Sequence, residues 1–271
     1  MTRKNSNLQR WVTGLVLAGA LLAVLICGSL EVLTVLIVLV IVGGVWEYNR
    51  IVFGPGFLKE KTVGIIFSLL IPGAFYLGDF QMLAAAVAFM LMAVFIIFLW
   101  RVNERTLDIM TVAKVVLGVV YISFLTSHFI LLRKLEEGIY WIILVLVIAI
   151  IGDTVALYVG KSLGKRKLIP VVSPGKTVEG TIGLIVGATL AACVYGFFFL
   201  PGISVVHFVI IGFAGSIIGQ LGDLCESAIK RHYGRKDASS LLPGHGGLLD
   251  RLDSLIFVAP FAYYYRVFVI G

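Results

Sequence analysis

The chain has 271 residues, of which 60% are hydrophobic and only 14% charged, with a mean hydropathy of +1.05 and a formal net charge of +7. A globular domain carries about 25% charged residues, so a water-soluble fold is excluded and an all-α integral membrane protein is indicated. Three scattered cysteines, Cys27, Cys193 and Cys225, form no CxxC pair and argue against a redox or metal centre.

Apolar runs long enough to cross about 30 Å of hydrocarbon recur at 11–30, 32–48, 62–79, 82–100, 107–132, 139–160, 178–200, 203–229 and 252–270. They predict a polytopic bundle of about nine transmembrane helices. The first run follows Arg3, Lys4 and Arg10 but lacks an A-x-A-like cleavage site, so it reads as an uncleaved helix. Glu47, in Trp46-Glu47-Tyr48 at the end of the second run, is expected at the membrane interface. Lys114 falls within the fifth run and Asp153 within the sixth, about two turns from its end. A carboxylate at that depth is costly and implies a polar cavity, or a structural pair with Lys161; Lys114 either snorkels or points into the same cavity.

Between the sixth and seventh runs lies a cationic stretch with Lys161, Lys165, Arg166 and Lys167, followed by Ser173-Pro174-Gly175-Lys176-Thr177-Val178-Glu179-Gly180. Gly-Lys-Thr suggests a P-loop, but the first glycine of GxxxxGK[ST] would fall at position 170, which is Pro170. What remains is a loop whose lysines and hydroxyls suit an anionic substrate or, more simply, the membrane surface. The seventh and eighth runs carry GxxxG pairs, Gly183 with Gly187 and Gly215 with Gly219, which bring helix backbones close in lipid, within one chain or in a homodimer. Asp223 follows Gly219 by four residues, and Glu226 comes one turn later, so this face points inward.

The segment 227–253 holds eleven ionisable side chains. Asp250 and Asp253 open the ninth run three residues apart, and with Asp223 they suggest a site for a hard divalent cation, Mg²⁺ by its preference for oxygen ligands. Capping and ion pairing with Arg251 or Lys230 are the plainer roles for these acids. Pro243-Gly244-His245-Gly246-Gly247, just ahead, exposes backbone N–H groups where a phosphate could sit; His245 has no partner at zinc spacing.

Placing the N-terminus in the cytoplasm puts 18 of the 22 lysines and arginines in cytoplasmic loops and 2 opposite. The basic residues sit in short loops without a soluble domain, which argues against nucleic acid as a partner. One membrane domain, 1–271, is expected, with 1–150 as hydrophobic scaffold and 151–271 as catalytic helices and loops.

Taken in order, Ser227-Ala-Ile-Lys230-Arg231, then Lys236-Asp237, then Pro243-Gly-His245-Gly246-Gly247-Leu-Leu-Asp250-Arg251-Leu-Asp253 resembles the signature of the CDP-diacylglycerol synthases, or phosphatidate cytidylyltransferases. The SPxKTxEG element at 173–180, Asp153 and the nine-helix layout are similar too, so the likeness covers the whole chain. Gly175 departs from a lysine common in the family, and Ala238-Ser239-Ser240 is smaller than the aromatic-containing run usual there. The resemblance implies reaction of CTP with phosphatidic acid to give CDP-diacylglycerol and pyrophosphate at the cytoplasmic face of the cell membrane.

It also implies Asp223, Asp250 and Asp253 as Mg²⁺ ligands, alone or with a second cation. Lys230, Arg231, Lys236, His245 and Arg251 join them as catalytic residues, and Gly246 and Gly247 hold pyrophosphate. Asp153, Ser173, Lys176, Thr177 and Glu179 complete the substrate site. A related lipid cytidylyltransferase or polyprenol kinase is the nearest alternative, and a cation transporter lined by Asp153 and Asp223 a more distant one.

Overall fold

The computed structural model describes residues 19–101, 108–239, 241 and 246–271. Among these, eight helices are long and apolar enough to cross a membrane, and a shorter helical segment, α1 (19–27), precedes them. The eight are α2 (Leu30–Val52), α3 (Leu58–Leu77), α4 (Phe80–Trp100), α5 (Met110–Lys134), α6 (Gly138–Leu163), α7 (Val178–Phe199), α8 (Val205–His232) and α9 (Leu249–Ile270). The expected runs thus become helices, several of them longer than their apolar core. Residues 11–18 of the first run lie outside the described residues.

The chain divides into two compact units, one formed up to Leu131 together with Asp237–Asp250, the other by Leu132–Lys236 with Arg251–Gly271. In the first unit the helix starts are written locally. Asp79 caps α4, accepting from Gln81 N at 2.8 Å and Met82 N at 3.0 Å, an arrangement that contributes about 1 kcal/mol. Gly78, at φ 74°, ends α3 in the left-handed conformation just before it. Tyr48 lies against Gly118, where a Cβ would come within 2.5 Å of its ring, and donates its hydroxyl to Lys114 O at 3.0 Å. That contact seats α2 on α5. The Lys114 ammonium lies 5.9 Å from the Phe53 ring. Val119–Phe124 forms a π-helical stretch inside α5, and Ser123 there donates to Ser68 O of α3 at 2.8 Å.

In the second unit the residues between α6 and α7 are not an open loop. Strands β1 (Lys167–Ile169) and β2 (Ser173–Thr177) pair antiparallel, with Lys167 opposite Thr177 and Ile169 opposite Ser173. Thr177 then caps α7, its hydroxyl accepting from Gly180 N at 3.1 Å. The glycine faces pack as their spacing implies: a Cβ at Gly183 or Gly187 would fall 2.8 or 2.7 Å from Val159 or Val155 of α6, and one at Gly219 would fall 2.9 Å from Val258 of α9. Helix α8 extends to His232, so Lys230 and Arg231 are helical residues rather than loop residues.

Candidate functional site

A cavity of about 460 Å³ opens among α6, β2, α7 and α8. Asp153 and Lys161 of α6, Ser173, Lys176 and Thr177 of β2, Thr181 of α7 and Gln220 of α8 line it. Lys176, carried by the strand immediately before the α7 cap, forms an ion pair with Asp223 of α8. An ion pair with Arg251 or Lys230 was the plainer role read for Asp223; Lys230 pairs with Glu226, one turn before it on the same helix. Glu226 is 1% exposed and Lys230 8% exposed, so this face of α8 is the inward one. Burying a paired charge costs less than burying a lone one, which is why the two acids of this face each meet a lysine.

Asp153, Asp223 and Asp253 lie close enough to feel one another's charge, with Lys176 and Arg251 acting on Asp153 and Lys230 on Asp253. What brings Asp253 to α8 is a glycine. A Cβ on Gly222 would sit 2.5 Å from Asp253 O, so only glycine lets the backbone at the head of α9 approach beside Asp223. Asp253 itself occupies a turn at 253–254 that interrupts α9, and its carboxylate accepts from Ser254 N at 2.7 Å. Among the described residues no group of three His, Cys, Asp or Glu side chains stands at metal-holding distance.

The other expected residues serve in more than one way. Arg231 donates from Nε to Val172 O at 3.1 Å and from Nη1 to Arg235 O at 3.2 Å, tying the β1–β2 turn to the end of α8. Glu179 is not part of the cavity wall; its carboxylate accepts from Lys165 N at 3.0 Å and Arg166 N at 3.2 Å and shapes the approach to β1. Lys236 and Arg251 are exposed. His245, with Pro243 and Gly244, lies outside the described residues.

In the first unit, Asp250 accepts from Ala238 N at 3.1 Å and from Gly247 N at 2.7 Å. The Gly247 amide, expected to hold phosphate, is therefore engaged by a carboxylate of the chain itself. Gly246 adopts φ 80°, and a Cβ there would fall 2.8 Å from Asp250 Oδ2, so both backbone and space demand glycine. Glu47 is more than a surface residue. Helix α2 runs to Val52, one turn past the apolar run, which leaves Glu47 inside the helix and fully buried in the protein. It accepts from Ser239 Oγ at 2.5 Å, Leu248 N at 2.9 Å and Leu249 N at 2.7 Å.

With that geometry in place, comparison with known proteins decides the family. The model of the cytidylyltransferase family matches residues 8–269. The chain belongs to the cytidylyltransferase family. It is 45% identical over 163 residues to the phosphatidate cytidylyltransferase of Bacillus subtilis (strain 168), a match covering 60% of each chain. The enzyme of the same name from Staphylococcus haemolyticus is 37% identical over 158 residues, 58% of this chain and 60% of that one. That from Staphylococcus saprophyticus is 40% identical over 152 residues, 56% and 55% of the two chains. The chain thus spans about three fifths of the length of these curated relatives. Sequence reasoning missed Gln220 and gave Glu47 and Glu226 no part in the site. Gln220 donates to Thr181 Oγ1 at 2.8 Å and keeps a buried Oε1 with no hydrogen-bond partner among the described residues. Only Glu226 left a signal, its place one turn beyond Asp223.

Proposed function

We propose that this protein transfers the cytidylyl group of CTP to phosphatidic acid, giving CDP-diacylglycerol and pyrophosphate, with Mg²⁺ as its cation and the site facing the cytoplasm. The observation that carries the reading is the ion pair between Asp223 and Lys176, which lines the cavity together with Asp153. Such a pair is ready for exchange: an incoming phosphate takes the lysine and leaves the carboxylate for a cation. The names of the relatives supply the nucleotide and the acceptor, and the excess of basic residues on one side supplies the orientation.

The chemistry suits the residues. A phosphate oxygen of phosphatidic acid attacks the α-phosphorus of CTP, the bond from that phosphorus to the β-bridging oxygen breaks, and pyrophosphate leaves with the electron pair. The attacking phosphate is already anionic, so no strong general base is required. The harder task is to bring anions together in line, which falls to Lys176, Lys230, Lys236 and Arg251, while Arg231 holds the β1–β2 turn. When bound, Mg²⁺ neutralises charge on the transferring phosphoryl group and the leaving pyrophosphate. Asp223 and Asp253 offer the oxygen donors a hard cation prefers, and the family resemblance adds Asp250 as a further candidate.

The test is pyrophosphate release by purified protein in mixed micelles with phosphatidic acid, Mg²⁺ and each nucleoside triphosphate in turn, with the lipid product weighed by mass spectrometry. Release that requires both CTP and phosphatidic acid is the expected result. Release of a nucleoside diphosphate would instead make the protein a lipid kinase, and no turnover by folded protein would overturn the reading.

A further inference from the structure

Glu47 is a carboxylate in the penultimate turn of an apolar helix, 0% exposed, and nothing in α2 itself accounts for it. A carboxylate in such a place is tolerated only when donors satisfy it, and its donors among the described residues come from one segment about two hundred positions away: Ser239 Oγ, Leu248 N and Leu249 N. The fit is steric as well as polar. A Cβ at Gly43, one turn before Glu47, would lie 2.7 Å from Leu248 Cδ2, so the missing side chain makes a notch for Leu248. A Cβ at Gly247 would lie 2.8 Å from Glu47 Oε2, so glycine there lets the carboxylate reach the backbone. Asp250 holds the same segment from inside through Ala238 N and Gly247 N.

We propose that Glu47 is a positioning residue for the reaction: it clamps the start of α9 and thereby fixes Asp250. This rests on the proposed cytidylyl transfer for its kinetic consequence but not for the clamp itself. In Glu47→Gln one oxygen becomes an NH₂ donor facing the donors of the segment, so at least one hydrogen bond becomes a repulsive donor–donor contact at nearly unchanged volume.

The experiment is hydrogen–deuterium exchange of the full-length protein in detergent, with kinetics alongside. In Glu47→Gln, exchange of peptides covering 246–252 should rise by about tenfold or more, the scale expected for losing charge-assisted hydrogen bonds, while other peptides keep wild-type rates. kcat should fall by a similar factor and the Mg²⁺ concentration for half-activation should rise, with the KM for phosphatidic acid unchanged. Ser239→Ala, which removes one donor from the loop side, should show the same pattern at a few-fold size and decides the matter if Glu47→Gln does not fold. Wild-type exchange over 246–252 in either folded variant, or a rise spread over the whole protein, would overturn the clamp. Local loosening without any change in kinetics would overturn the positioning role. If wild-type protein shows no cytidylyl transfer, the exchange arm still tests the clamp.

Discussion

Two carboxylates of this protein are handled in opposite ways. Glu47, in the first unit, is saturated by backbone and hydroxyl donors that no substrate replaces. Asp223, in the second, is held by the side chain of Lys176, a partner that an anionic ligand can draw away. The first arrangement makes a fixed frame, and the second is the one proposed above to exchange with ligand. Acidic residues in a membrane helix thus announce a cost, and the identity of the partner shows whether that cost is met by architecture or by function.

The comparison can be broken at several points. Asp250→Ala should have the largest effect, because it removes a candidate cation ligand and releases Ala238 N and Gly247 N together. We expect turnover to fall by about a thousandfold or more in protein that still elutes as a folded species. Wild-type activity in that variant would remove Asp250 from the site. Lys176→Met comes next: kcat/KM for CTP should drop by about a hundredfold while thermal stability changes little, since the ion pair it breaks is partly exposed. If stability collapsed and kinetics per folded molecule held, the pair would be frame rather than site.

A third change bears on how Asp253 is delivered. Gly222→Ala puts a methyl group against Asp253 O and should cost about 1–3 kcal/mol, read as a lower midpoint of thermal unfolding in detergent. The smallest effect is expected at Glu179, whose carboxylate serves two backbone amides near the membrane surface. Glu179→Gln should alter steady-state rates by about threefold or less, the size of a weakened exposed hydrogen bond. A loss as large as that of Lys176→Met would return Glu179 to the substrate.

What the sequence displayed follows from what is local. Helices α2 to α9 were visible because each is a run of apolar residues as long as the bilayer is thick; Asp79 and Thr177 were not read as the caps of α4 and α7, although their partners lie within one turn. The glycine faces were visible for the same reason, as a spacing of four. The role of Glu47 was not, because its partners are far away along the chain and its position looked like a helix end. The β1–β2 hairpin was hidden by its composition: charged, with Pro174 and Gly175 inside a strand, it offers no alternation of apolar and polar residues. The Lys176–Asp223 pair combined two residues singled out separately, and only the folded chain joined them.

The wall formed where α6 meets α7 bears on inhibitor resistance. Gly160 and Gly180 both line the cavity, and a Cβ at either would come within 3.1 or 2.9 Å of the Thr177 hydroxyl. A compound lodged against these two glycines would meet main chain at that part of the wall. Any substitution that crowded it out would also push against the threonine that starts α7, so escape from such a compound would carry a folding defect with it.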